Sequence, residues 1–132
     1  MKDPLSVLRD HAIQATPQRI AVMRYVCETD SHPSADEVLE NVRRHCPTVS
    51  RSTVYNTLNL LVEKGLLRTQ VLKGGTVVFD CKVKPHHHFI DQETGRIYDV
   101  AWDAVKVTGH ESLKGFDVEE HQVIMRGRRK KR

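Results

Sequence analysis

Apolar positions in the N-terminal half of the chain recur at helical spacing, interrupted by punctuating residues. Ser34-Ala35-Asp36-Glu37 reads as a capping box, and Ala35, Val38, Leu39 and Val42 follow at relative positions 0, 3, 4 and 7, one stripe of a 3.6-residue period. Two helices are predicted before it. Asp3-Pro4 sets an N-cap ahead of a proline at the first helical position, with Leu5, Leu8 and Ala12 as a narrow stripe. Thr16-Pro17 repeats that signature and opens a helix to about Cys27, with Ile20, Met23 and Cys27 on one face. Pro47 ends the third pattern. Ser50 then opens a fourth helix, in which Val54, Leu58, Leu61 and Val62 fall at 0, 4, 7 and 8, and Gly65 supplies the stop.

The pattern then turns strand-like. Leu66 to Leu72 and Thr76 to Phe79 are β-prone, and Lys73-Gly74-Gly75 between them is a hairpin signal. Helices followed by such a hairpin predict a winged helix. Val83 to Pro85 is the expected hinge, because Pro85 restricts its neighbour and the sequence changes character there. Beyond it, His86 to Asp91 and Arg96 to Ala101 read as strands around the turn Gln92-Glu93-Thr94-Gly95. Asp103 to Leu113 reads as a helix, although Val105, Val107, Thr108 and Gly109 are poor formers, and Val118 to Arg126 as the last strand. The expected fold class is α+β: an N-terminal winged-helix DNA-binding domain over 1–82, a hinge at 83–85, a small α/β dimerisation domain over 86–125 and a basic tail at 126–132.

Length and charge refine this. A chain of 132 residues suffices for one ordinary domain or two small ones, and small units often need a metal or a partner subunit, so a homodimer is expected. No apolar run approaches the ~18 residues of a membrane span. Lys2, Asp3, Arg9 and Asp10 occupy the start, which lacks the apolar centre of a signal peptide. A soluble, cytoplasmic protein without membrane contact is expected. Cys27, Cys46 and Cys81 are an odd set with no CxxC pair, which speaks against a disulfide framework and a thiolate zinc site and for reduced thiols. Residues 1–84 hold 12 Lys+Arg against 9 Asp+Glu, residues 85–125 hold 3 against 8, and the last seven residues add six positive charges. The basic front predicts an anionic partner there.

Two features carry candidate chemistry. On the fourth helix the apolar stripe leaves Arg51, Ser52, Tyr55, Asn56 and Asn59 on the opposite side, where a guanidinium fork, hydroxyls and amides can serve phosphates and base edges together. Lys73 at the hairpin tip would add a cationic wing, and Arg19 a phosphate or minor-groove contact. The second feature is His86-His87-His88. In an extended segment His86 and His88 point to one face and His87 to the other, so the first and third could grip one ion, with Asp80 and Asp99 flanking them in sequence. Imidazole and carboxylate suit Fe(II), Mn(II) or Zn(II), in a site that could catalyse, sense or brace.

Taken together, Thr16-Pro17-Gln18-Arg19, His32-Pro33-Ser34-Ala35-Asp36-Glu37-Val38, Ser52-Thr53-Val54-Tyr55-Asn56-Thr57-Leu58, Lys64-Gly65-Leu66, the triple histidine and Gly95-Arg96-Ile97-Tyr98-Asp99 resemble the ferric uptake regulator family of metal-dependent bacterial repressors over nearly the full length. The resemblance implies a regulatory site of His32, Asp80, His86, His88 and Asp99. Asp rather than Glu at position 99 resembles the peroxide-sensing branch. What it implies is a homodimeric repressor, not an enzyme, that binds a palindromic double-stranded operator when Fe(II) or Mn(II) is bound, with Zn(II) able to occupy the site in vitro. Hydrogen peroxide would release it by oxidising His32 or His86.

Departures from the family pattern are informative. Asp91-Gln92-Glu93-Thr94 stands where most members carry a CxxC, so no structural four-cysteine zinc is expected. A further metal site of some relatives would draw on His87 and His121, but Lys106 lies near the place of its usual glutamate. An iron- or haem-responsive regulator without peroxide sensing is the alternative, since some haem-responsive relatives share the triple histidine and a basic C-terminus. Cys46-Pro47 is formally a haem-binding dipeptide, although Pro47 already has a structural reason in ending the third helix.

Overall fold

The structure is a computed structural model that describes residues 3–82 and 84–131, with the side chains of Leu72 and Lys73 left out. It divides into two compact units, Met1–Val83 and Lys84–Arg132. Val83, where the expected hinge begins, and Arg132, the last residue of the tail, lie outside the described residues. No helix among them is long and apolar enough to cross a membrane.

The first unit opens with four helices, α1 (Pro4–Asp10), α2 (Pro17–Glu28), α3 (Ala35–Val42) and α4 (Arg51–Glu63). Three starts follow from their capping residues. Thr16 Oγ1 accepts from Arg19 N at 3.2 Å and Ser50 Oγ from Thr53 N at 3.1 Å. Ser34 and Glu37 close a full capping box, at 3.3 and 3.2 Å. The start of α1 differs from expectation, for the Asp3 side chain makes no cap hydrogen bond and only its carbonyl engages the helix, accepting from Val7 N at 3.1 Å. Ala12 falls beyond α1 with φ +56° and is exposed, so the buried apolar residues there are Leu8 and Ile13. In α2 the buried face is Val22, Met23 and Val26 rather than Ile20, Met23 and Cys27. Met23 and Val26 lie three apart beside Val22, which turns that stripe inward to meet Val38, Leu39 and Val42 of α3 and Val54, Leu58 and Leu61 of α4.

A two-stranded antiparallel hairpin, β1 (Arg68–Lys73) and β2 (Thr76–Asp80), follows α4 in register Arg68 to Asp80 through Val71 to Val77. It starts two residues later than the apolar run. Leu66 N and Leu67 N both donate to Leu61 O, at 2.9 and 3.3 Å, closing the helix through Gly65 at φ +76° before the ladder begins. Phe79 N donates to Pro33 O at 2.9 Å and Ser34 bridges Val78, which fixes the segment before α3 against β2. The expectation of three reduced thiols is corrected. Cys27 near the end of α2 and Cys81 just past β2 form a disulfide across a separation of 54 residues, leaving Cys46 as the free cysteine. Local spacing rules miss it because the fold, not a motif, brings the pair together.

The second unit is a three-stranded sheet in the order β4-β3-β5, with β3 (His87–Asp91) antiparallel to β4 (Ile97–Val100) and parallel to β5 (Ile124–Gly127). The expected helix over 103–113 is absent. Two single 3₁₀ turns, Trp102–Ala104 and His110–Ser112, stand there instead, separated by the β-branched run and by Gly109 at φ +89°. The last strand is also shorter and later than the run from Val118, and it takes in Arg126 and Gly127, which composition assigned to the tail. Among the described residues of the second unit, Ile90 and Ile97 are the buried aliphatic ones, whereas Trp102, Leu113, Phe116 and Val118 are exposed.

Candidate metal-ligand groups and nucleic-acid interface

In the first unit His32 occupies the loop between α2 and α3 at φ +54°, a left-handed conformation uncommon for a residue with a side chain. Its Nε2 lies 3.5 Å from Oδ2 of Asp80, the last residue of β2. Both side chains are buried. Lys82 N donates to the other carboxylate oxygen, Oδ1, at 2.8 Å, which orients Oδ2 toward the imidazole. Burying a carboxylate is costly without a positive partner, and a protonated imidazole or a cation shared by both groups would supply one.

The second unit holds the other three predicted ligands. His88 and Asp99 are register partners across β3 and β4, so the pairing of strands itself brings carboxylate and imidazole together. Oδ1 of Asp99 lies 3.6 Å from His86 Nε2 and 3.8 Å from His88 Nε2. The two rings meet edge-on with centroids 4.6 Å apart, and the ligand atoms of the three residues lie within 4.8 Å of one another. His86 Nδ1 sits 2.8 Å from Lys84 O, a carbonyl that can only accept, so Nδ1 carries the proton and Nε2 keeps its lone pair. Two imidazoles and a carboxylate converging in this way match the donor chemistry of a borderline divalent cation.

His87 faces the other way, as alternation along the strand requires. It is fully buried, and Nδ1 accepts from Val123 N at 2.9 Å. That bond uses the Nδ1 lone pair, so the proton of the neutral ring is on Nε2, for which the described residues offer no acceptor. A neutral His87 in this tautomer has no lone pair left for a metal. Trp102 stacks on His87 at 4.6 Å and also meets His121 at 4.7 Å, so both histidines of the second site considered above lie against one indole. His110, whose ring is 4.3 Å from that of His121, joins them. Neither Trp102 nor His110 stood out in the sequence, where no fixed spacing marks such a stack.

On α4, Arg51, Ser52, Tyr55, Asn56 and Asn59 are all exposed, opposite the buried Val54, Leu58 and Leu61. Two of them share a partner that the sequence reading passed over. Oδ1 of Asp36, in the first turn of α3, accepts from Tyr55 Oη at 2.8 Å and from Arg51 Nη1. The Tyr55 hydroxyl, and after it the Arg51 guanidinium, hold the Asp36 carboxyl below its ordinary pKa, and Asp36 raises that of Arg51. Arg19 is half-buried in the first turn of α2, and its Nη1 donates to Gln14 O at 3.0 Å. The Lys73 side chain lies outside what is described.

Comparison with known proteins follows the same outline. The model of the ferric uptake regulator family matches residues 10–126. The peroxide-responsive repressor PerR of Staphylococcus epidermidis is 29% identical over 130 residues, covering 96% of this chain and 86% of that protein. A Campylobacter jejuni peroxide stress regulator superposes with a TM-score of 0.70 at 27% identity, covering 96% of each chain. A zinc uptake regulator complexed with zinc and DNA has a TM-score of 0.66 at 22% identity, covering 93% of this chain and 85% of the other, a likeness of fold. With a family match spanning both units, the chain belongs to the ferric uptake regulator family.

Proposed function

We propose that the chain is a metal-dependent, homodimeric transcriptional repressor in which His32 and Asp80 of the first unit and His86, His88 and Asp99 of the second hold one Fe(II) or Mn(II). The observation that carries this reading is the convergence of His86 and His88 Nε2 on one Asp99 oxygen in the second unit; the first unit separately holds a buried imidazole-carboxylate pair, His32 and Asp80. Three nitrogen and two carboxylate donors suit Fe(II), Mn(II) or Zn(II), and Zn(II) is expected to bind in vitro. No four-cysteine zinc enters the proposal, since three cysteines are present and two are joined. An ion held by ligands from both units would restrain the angle between them, and with it the spacing of the two α4 helices in a dimer. That spacing must match the half-sites of a palindromic operator. Exposed Trp102, Leu113, Phe116 and Val118 in a unit with so few buried aliphatics support pairing of two copies. In this reading the protein works in the cytoplasm, as a regulator and not as an enzyme.

The signal in this reading is hydrogen peroxide, in keeping with similarity to a peroxide-responsive repressor. Fe(II) held by these residues would supply the reductant for peroxide, whereas Mn(II) would support repression without that chemistry. His32 and His86 carry imidazole carbons that could gain an oxygen atom; the oxidised ring would be a poorer ligand, and DNA would be released. Mass spectrometry of the Fe(II) and Mn(II) proteins after peroxide tests this. A gain of 16 Da, about one oxygen atom, is expected on the His32 or His86 peptide of the iron form alone. Unchanged histidine peptides in the iron form, with DNA still bound, would leave the iron- or haem-responsive regulator as the better reading.

A further inference from the structure

The Cys27–Cys81 bond has no part in the proposal above, yet it brackets one half of the ligand set. Cys27 lies five positions before His32, and Cys81 directly follows Asp80. Without the bond, the covalent path from His32 to Asp80 runs through α3, α4 and the whole hairpin. With it, the path is a short ring closed across two cysteines whose Cα atoms are 5.0 Å apart. The ladder of β2 ends with the pair Arg68 and Asp80, and the backbone ties to the His32 loop are made further back, at Phe79 and Val78. The disulfide is thus the tie on the far side of Asp80, at the point where the strand gives way to a bend. Both cysteines are half-buried rather than sealed in the core, within reach of a small oxidant or of an exchanging thiol.

We infer that Cys27 and Cys81 are a reversible redox-modification site for hydroperoxides, and that the closed bond tightens metal binding by pre-arranging His32 and Asp80. The inference rests on the reading of those two residues as ligands in a cytoplasmic protein, a compartment where disulfides are mostly transient or sensing rather than structural. The chemistry balances without a cofactor. One thiol attacks a peroxide oxygen, the O–O bond breaks, and water leaves with formation of a sulfenic acid. The second thiol displaces that hydroxyl as a second water and the S–S bond forms. Two thiols and one hydrogen peroxide give one disulfide and two waters, and a dithiol reductant reverses the change. Thiol oxidation then acts through ligand placement, separately from any oxygen added to a histidine.

The test uses the full-length protein in two states, reduced with a dithiol and oxidised with one equivalent of hydrogen peroxide in the absence of metal. Each is split between thiol alkylation with mass spectrometry and titration with Mn(II). Peroxide is expected to protect Cys27 and Cys81 from alkylation together, and a dithiol to restore both. The oxidised form is expected to bind Mn(II) about fivefold more tightly or better, the lower end of ordinary coupling between sites. Cys27→Ser and Cys81→Ser should each bind as the reduced form does in either buffer, while Cys46→Ser retains the difference. Cysteines that stay open to alkylation after peroxide would overturn the inference, as would equal Mn(II) affinities in the two states, which would leave the metal reading standing. Loss of Mn(II) binding in both states would overturn the two together.

Discussion

At the scale of single residues, the shared carboxylate of Asp36 is the least expected feature of the face proposed for DNA. It ties down Arg51 and Tyr55, the two α4 side chains best suited to phosphate, and cancels one positive charge beside them. Removing it frees the guanidinium. Asp36→Ala should therefore bind non-specific duplex more tightly, and log affinity against log salt should steepen by about 0.9, the value of one added phosphate contact. An unchanged slope would show that Arg51 does not reach the backbone. The same network has an acid limit. Because the folded pKa of Asp36 is depressed, its stabilisation is present above the unfolded carboxyl pKa of about 3.9 and is lost as pH falls through the lower folded value. Denaturation curves of the parent and Asp36→Asn should accordingly converge below that range, and a constant gap between them would contradict the assignment. Sequence alone could name Arg51 and Tyr55 because helical period sorts exposed from buried positions. It could not name Asp36 as their partner, since that depends on how α3 crosses α4.

Elements show where local signals suffice and where tertiary structure overrides them. The capping residues Thr16, Ser34 and Ser50 set three helix starts where the sequence placed them, because a side-chain oxygen three residues before an amide acts locally. Ser34→Ala should cost about 1 kcal/mol in a urea titration, and Ser34→Gly only a few tenths. Equal losses would mean that the hydroxyl contributes nothing and that the bridge from Ser34 to Val78 carries the position. The sheet of the second unit was legible in the alternation of His86, His87 and His88, and register pairing of His88 with Asp99 follows from a short turn at Gly95. The stretch between β4 and β5 was not. Val105, Val107 and Thr108 restrict χ1 and Gly109 takes a left-handed backbone, so the segment settles into two separate 3₁₀ turns that hold Trp102 and His110 against buried or half-buried histidines. Nothing in a pattern of period 3.6 or 2 foretells such packing.

For the whole molecule, the proposed ligands were reached by uneven routes. His86 and His88 follow from strand alternation, and Asp80 and Asp99 were noted as the carboxylates that flank them in sequence, whereas His32 was reached only through likeness to a family. The Cys27–Cys81 bond escaped both routes, since it obeys neither a motif nor the family pattern as read from the chain. The central claim is that one ion held by both groups governs DNA binding. The direct measurement is affinity for a duplex selected from a random-sequence pool by the Mn(II)-loaded protein, read with and without Mn(II) for the parent, His32→Ala and Asp99→Ala. We predict that Mn(II) raises the affinity of the parent by roughly 5- to 150-fold, that neither variant responds, and that all three agree when metal is absent. A parent whose affinity ignores Mn(II), or either variant with an undiminished response, would contradict the claim.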